Sequence, residues 1–310
     1  MYLFENQLKI ADREEIEKYL LNITHESSAQ SFTSLYMWRN IHDFCWQIID
    51  DYLCIEGTYR PKQDGDELIH YMFPPVPRTG VYVEDELLKV CQKAQHIFEA
   101  SGEKFIIKRL PDVLLPIFKK TFPRGVFSDD RAYYDYLYSL DELAQLRGKR
   151  FHAKKNHVNY FNRTFDFSVR EYSSEMKDDV LDLVDRINEA RRDTPADKAA
   201  LSYERSAMVD VLENAETVGY IGCGIYIRNR LEAFALGGRL SQDTISEHIE
   251  KANVEYKGLY AAINREFSLL SLEKGFAFVN REEDMGSENL RKAKLSYHPI
   301  KLIEKYELSI

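Results

Sequence analysis

Amphipathic helical stripes and strand-length apolar runs alternate along this 310-residue chain, and they pass through the same order twice. In the first half, Ile16, Tyr19, Leu20 and Ile23 share a helix face behind Asp12 and Glu15, which fit an N-cap and its reciprocal acid. Strand runs follow at 44–49, 52–56 and 68–73, with Asp50-Asp51 as a hairpin turn. A stripe of Leu87, Leu88, Cys91, Ala94, Ile97 and Phe98 closes at Gly102. A strand at 105–108, a short helix at 111–118 and a Tyr-rich extended run at 126–137 complete this half. The second half has a strand at 165–169, a helix around Val180, Leu183 and Val184, and another starting at Ser202. Strands at 217–227 and 231–240 then flank an Arg228-Asn229-Arg230 turn. Leu259, Ile263, Phe267 and Leu270 form a helical stripe stopped by Gly275. Beyond it come a strand at 276–280, a helix at 288–296 capped by Ser287, and a last strand at 301–308.

Helices placed between strands require layered α/β packing, and strand pairs joined by short turns make the sheets mixed. The expected architecture is α/β (α+β), with a mixed sheet flanked by helices in each of two domains, 1–142 and 143–310. The repeat is one of elements, with no residue-level period. Apolar residues make up 44% of the chain, enough for two cores. The net charge of −9 argues against a surface that binds nucleic acid throughout. No run approaches the ~18 apolar residues of a membrane span, and Met1-Tyr2-Leu3-Phe4-Glu5 does not open a secretory signal. Cys45, Cys54, Cys91 and Cys223 form no Cys-x-x-Cys pair and no zinc pattern. Reduced thiols, a cytoplasmic location and no metal are expected.

Three segments are candidates for chemistry. Arg147, Lys149, Arg150, His152, Lys154, Lys155, His157 and Arg163 run together without an acid, a local reversal of sign able to hold phosphates. A solvated helix offset by Asp141 and Glu142 is the plain alternative. The second segment is Glu247-His248-Ile249-Glu250-Lys251-Ala252-Asn253. On a strand, His248 and Glu250 face the same side. The third, Asn280-Arg281-Glu282-Glu283-Asp284-Met285-Gly286, follows an apolar strand and precedes a helix, where open α/β sheets bind ligands. Arg281 suits a bidentate anion, and Glu282 or Asp284 suits proton transfer or merely fixes Arg281. Arg291 and Lys294, one turn apart, direct charge to the same cleft. P-loop, dinucleotide-binding and hydrolase-elbow patterns are absent.

The stretches Leu143-x-x-Leu146-x-Gly148-Lys149 and Lys155-Asn156-x-Val158-Asn159 resemble the soluble C-terminal domain of phosphatidylglycerol lysyltransferases. So do Ile249-Glu250-Lys251-Ala252, Gly258-x-Tyr260, Ile263-Asn264-x-Glu266-Phe267, Phe278-Val279-Asn280-Arg281-Glu282-Glu283-Asp284-x-Gly286 and Leu290-Arg291-Lys292-Ala293-Lys294. The likeness is greatest to the stand-alone bacterial branch, and that family is similar to the Fem-type aminoacyltransferases. The resemblance implies two tandem acetyltransferase-like lobes and aminoacyl transfer from charged tRNA to a hydroxyl or amine. The lysyltransferases carry an integral-membrane portion that does not occur in these residues, so the acceptor stays open between a small molecule and a lipid headgroup. On this reading Glu282 and Asp284 are catalytic, and Arg281, Asn280, Arg291, Lys294 and Glu250 bind substrate. Lys149, Lys154, Lys155 and Asn156 contact phosphate or RNA. No cofactor is required, the acyl donor being aminoacyl-tRNA or acyl-CoA. A CoA-dependent N-acyltransferase is the enzymatic alternative, although the usual Gly-rich pyrophosphate loop is not evident before Leu259. A non-catalytic sensor on the same fold is the alternative from another class.

Overall fold

The computed structural model describes residues 2–23, 26–60, 68–189 and 195–310. In chain order the elements begin β1 (Asn6–Gln7), α1 (Arg13–Leu20), α2 (Phe32–His42), β2 (Cys45–Ile49), β3 (Tyr52–Tyr59), β4 (Ile69–Met72) and β5 (Val76–Pro77). They continue with α3 (Glu84–Ala100), β6 (Ile106–Pro111), α4 (Leu115–Thr121), β7 (Val126–Asp129), β8 (Asp135–Ser139), α5 (Leu140–Gln145), α6 (His152–Thr164) and β9 (Phe167–Glu171). Next are α7 (Lys177–Glu189), α8 (Pro195–Glu213), α9 (Ala215–Val218), β10 (Tyr220–Ile227), β11 (Arg230–Arg239) and β12 (Thr244–Ala252). The chain closes with α10 (Leu259–Glu273), β13 (Phe278–Asn280), α11 (Glu288–Leu295), β14 (Lys301–Ile303) and β15 (Lys305–Ser309).

These elements form two mixed sheets flanked by helices. Among the described residues the first runs β1-β2-β3-β4-β6-β15-β7, with β5 beside β3, and the second runs β14-β8-β13-β12-β11-β10-β9. Parallel pairs, β4 with β6 and β12 with β13, stand among antiparallel neighbours. Each parallel pair is bridged by a long helix, α3 or α10, so the repeated element order is also a repeated topology. The two tight hairpins lie where polar dipeptides predict them. Asp50 and Asp51 have φ of +46° and +66°, and Arg228 and Asn229 have +51° and +63°, the left-handed backbone that matches the twist of paired strands.

By contacts the chain divides into one unit of Met1–Asp135, Glu283–Ser287 and Leu302–Ile310 and another of Tyr136–Glu282 and Glu288–Lys301. The expected boundary between 142 and 143 keeps the C-terminus with the second half, whereas Leu302–Ile310 joins the first unit. The single strand expected at 301–308 is two strands, and β15 pairs with β6 and β7 in the first sheet. Its alternation continues past Ile303, but hydrogen-bond partners far away in sequence decide which sheet a strand joins. The extended run expected at 126–137 is likewise β7, a 3-10 turn at Arg131–Tyr133, and β8.

The first core packs Phe98, Phe105, Ile107 and Phe118 with Cys54 and Cys91 between sheet and helices. All four cysteines are buried and unbridged. In the second unit Leu259, Ile263 and Phe267 of α10 are buried, while Leu270 is only half-buried. Leu270 therefore sits at the margin of the stripe rather than inside it. Asp12 does not cap α1 with Glu15 as expected. Its carboxylate accepts the Lys9 N–H at 2.8 Å and the Trp46 indole N–H at 3.1 Å, and Glu15 pairs with Lys18. Gly219, expected inside a strand, instead ends α9 with φ +87°, and the strand starts at Tyr220. Among the described residues no helix is long and apolar enough to cross a membrane.

Candidate functional site

In the second unit, β12 and β13 run parallel only where residues 244–246 face residues 278–280. Beyond that point β12 continues to Ala252, while the chain after Asn280 turns away through Glu282, whose φ is +57°. The carboxyl ends of parallel strands that part in this way leave an opening with few backbone partners, a common place for a ligand.

A β-bulge aims side chains into that opening. Opposite β11, Gly237 pairs with Glu247 and Leu236 with Ile249, so His248 is an extra residue with no partner in the ladder. One inserted residue reverses the alternation along the strand. Glu247 and Glu250 therefore both reach Arg281, whose Nε donates to Glu247 at 2.5 Å and whose Nη2 donates to Glu250 at 3.0 Å. His248 goes elsewhere, to Glu282 Oε1 at 2.7 Å through its Nδ1. The expectation that His248 and Glu250 share a side assumed an unbroken strand and is corrected here. Across from the bulge the strands come so close that a Cβ on Gly237 would lie 2.3 Å from the Ser246 carbonyl oxygen.

Arg281 and Glu247 are almost wholly withdrawn from water, with side chains 9% and 3% exposed. Burial, opposed by Arg281 and reinforced by Glu250, pushes the Glu247 carboxyl up to about 8. Burial also works against the Arg281 charge, but the two carboxylates outweigh it and hold the guanidinium well above its ordinary pKa. Asn264 of α10 donates to Glu250 at 3.1 Å. The Tyr138 and Tyr297 rings lie 5.7 and 5.1 Å from the guanidinium carbon. Three buried atoms of the cluster have no hydrogen-bond partner among the described residues: Arg281 Nη1, Glu247 Oε1 and Asn264 Oδ1. Buried polar groups are ordinarily satisfied, so one free donor and two free acceptors together mark a place able to receive a polar ligand.

The remaining residues singled out from the sequence fall in several places. Glu282 accepts from Ser246 at 3.2 Å and contacts His248, and its N–H is capped by Asn280 Oδ1 at 2.7 Å. Asn280 is fully buried. Lys294 points its ammonium at the carbonyl oxygens of Arg281 and Glu282, at 2.5 and 3.1 Å, and so clamps the turn that presents Arg281. Arg291, one turn earlier on α11, is half-buried. Asp284 belongs to the first unit, where it is fully buried and accepts from Arg131 at 3.3 Å and from the Gly286 N–H at 2.9 Å.

The basic segment separates into two groups. Lys149, Lys155 and Asn156 are exposed on and just before α6, with Asn156 near His152, whereas Arg150 pairs with Glu142. Lys154 turns inward and rests 3.8 Å over the Tyr297 ring. Burial, together with the nearby Arg281 charge, lowers its amine to about 8 against the pull of Glu250.

The sequence places Glu247 in a candidate segment without a role, and it gives Asn264, Tyr138 and Tyr297 no place in the site. Asn264 left a signal, since it is a polar residue inside the stripe that Leu259, Ile263 and Phe267 mark on α10. The role of Glu247 depends on the bulge, which no local residue preference announces.

Paired mixed sheets, each with a helix-bridged parallel pair, define a protein of the tandem acetyltransferase-like class with a charged opening in its second unit. More narrowly, the family model described as phosphatidylglycerol lysyltransferase, C-terminal, matches residues 22–308, and the chain belongs to that family. A conserved protein of unknown function from Bacteroides thetaiotaomicron is similar at 30% identity, with a TM-score of 0.87 and all of both chains covered. The L-PGS structure from Bacillus licheniformis is similar at 15% identity and TM-score 0.66, over 100% of this chain and 94% of that one. FemX is similar at 10% identity and TM-score 0.67, over 98% and 96%. At the identities of these last two the likeness is one of fold. An uncharacterized protein of Mycoplasmoides gallisepticum is 23% identical over 186 residues, 57% of this chain, and the chain spans 56% of the length of that curated relative.

Proposed function

We propose that this protein is an aminoacyltransferase that takes an aminoacyl ester from charged tRNA and passes it to an amine or hydroxyl acceptor, a small molecule or a lipid headgroup. Membership of the lysyltransferase C-terminal family supports transferase chemistry of this kind. The observation that carries the reading is the set of unpaired buried atoms around Arg281, two acceptors and one donor. An aminoacyl ester carries an ammonium and a carbonyl oxygen on neighbouring carbons. The ammonium suits Asn264 Oδ1 and, in the ionised form that an incoming positive charge favours, Glu247 Oε1, and the carbonyl oxygen suits Arg281 Nη1. In transfer, the acceptor attacks the ester carbonyl carbon, and negative charge gathers on the oxygen before the bond to the tRNA hydroxyl breaks. A guanidinium already fixed by two carboxylates needs no reorganisation to meet that charge, and holding donor and acceptor together supplies much of the remaining acceleration.

The test is to incubate the protein with tRNA charged with labelled amino acids, plus pools of small amines, polyols and lipid vesicles, and to follow label leaving tRNA. Transfer to one acceptor pool is expected, with Arg281→Lys reducing it on the order of 10²-fold because the second fork nitrogen is lost. Failure of every charged tRNA to lose label above the blank, with acyl-CoA consumed instead, would overturn the reading in favour of CoA-dependent transfer. A ligand bound with no turnover from either donor would leave a sensor.

A further inference from the structure

Lys154 stands out in the second unit because its charge is not spent. Arg281 is held by Glu247 and Glu250, and Lys294 by two backbone carbonyl oxygens. Lys154 makes no ion pair among the described residues; its amine lies 3.8 Å over the Tyr297 ring. Tyr297 in turn is 5.1 Å from the Arg281 guanidinium, so one ring links the amine to the Arg281 cluster, whose Arg281 and Glu250 charges both act on it. The groups that face it are Tyr297, Arg281 and Glu250. On α10, which packs against α6, Arg265 and Glu266 pair with one another at 3.0 Å. Burial and a neighbouring cation both favour an amine that gives up its proton readily, and they outweigh the hold of the Tyr297 ring face on the ammonium. That is poor design for a permanent phosphate clamp and good design for a proton carrier.

We propose that Lys154 is the proton carrier of the transfer step, taking the proton from the attacking amine or hydroxyl and delivering it to the departing tRNA oxygen. The inference rests on the aminoacyltransferase reading. In its neutral form Lys154 accepts the acceptor's proton as the new C–N or C–O bond forms. As the ester C–O bond to the tRNA breaks, the ammonium returns that proton to the leaving alkoxide. The lysine ends neutral, and nothing is oxidised or reduced. The burial-lowered amine, at about 8, keeps a working fraction of this base near neutral pH.

The experiment measures transfer as a function of pH for the wild type, Lys154→Arg and Lys154→Gln, with charged-tRNA affinity measured in parallel. Both variants are expected to keep affinity within about twofold while turnover falls roughly 10²–10³-fold, because arginine retains the charge but cannot act as a base. The wild-type rate is expected to rise as pH passes through about 8, and that limb to vanish in both variants. Near-normal turnover in Lys154→Arg would make the residue an electrostatic anchor and overturn the inference while leaving the proposed function intact. An absence of transfer by the wild type from any charged tRNA would remove the proposed function itself, and the inference with it. An independent readout is pulse acetylation with peptide mass spectrometry. Lys154 should become reactive at lower pH than exposed Lys149 and Lys155, and a midpoint no lower than theirs would also overturn the proposal.

Discussion

Replacing Arg281 by Met removes the charge from between Glu247 and Glu250 while keeping an unbranched apolar stem. In the wild type the guanidinium donates at 2.5 Å to one carboxylate and at 3.0 Å to the other. Those side chains are 3% and 14% exposed, so water cannot take over the lost contacts. Breaking a buried ion pair from one side costs about 3–5 kcal/mol, since the remaining charge is stranded. The pH dependence follows from the same cluster. The Glu247 carboxyl is raised to about 8 from an ordinary value of 4.5, so folding favours its protonated form. Its contribution to stability is full below 4.5 and is lost as the pH rises through about 8. Without Arg281 the Glu247 carboxyl holds its proton more tightly still. At acid pH Glu247 is protonated with or without the arginine, and the deficit is small. As pH rises the wild type can ionise Glu247 against Arg281 and the variant cannot, so the deficit widens. Urea unfolding followed by circular dichroism at pH 5, 7 and 9 measures this. Adding Glu247→Gln and Glu250→Gln to the variant should recover most of the loss, because no buried charge is left unpaired. A loss under about 1 kcal/mol at pH 9, or one that shrinks as pH rises, would refute the claim that the three groups form one buried charge cluster.

Two further outcomes are expected. Phe267→Ala should cost about 3–5 kcal/mol in the same unfolding assay, whereas Leu270→Ala, at the half-exposed edge of α10, should cost clearly less; equal losses would contradict the packing described. Neutralising Lys149 and Lys155 together should weaken tRNA binding and reduce the steepness of its salt dependence by about one unit per lysine, with stability changed by about 0.5 kcal/mol or less. An unchanged salt slope would identify the exposed face of α6 as ordinary solvated surface.

Much of the architecture was legible in the sequence. Two-residue and 3.6-residue periodicities are local, so most strands and helices lie close to the runs that predict them. The Asp50-Asp51 and Arg228-Asn229 turns were marked by Asp and Asn, which accept a left-handed backbone, at polar breaks between apolar runs. The segment around Arg281 was also visible, because an apolar strand running into a charged turn is a local signal. What each charge does there was not. The alternation rule joined His248 to Glu250, and one bulged residue joined Glu247 to Glu250 instead. Lys154 reads as part of a basic run, yet its amine lies on a tyrosine 143 positions later in the chain. Asp284 reads as a partner of Glu282 two residues away, yet it holds Arg131 in the first unit. Periodicity and capping are set by neighbours along the chain, and the sequence by itself determined those. Bulge register, the sheet that β15 joins, and the burial that moves the Glu247 and Lys154 protons depend on atoms brought close only by folding. Hydrogen-bond pairing and the exclusion of water act through space, so only the tertiary structure decided them.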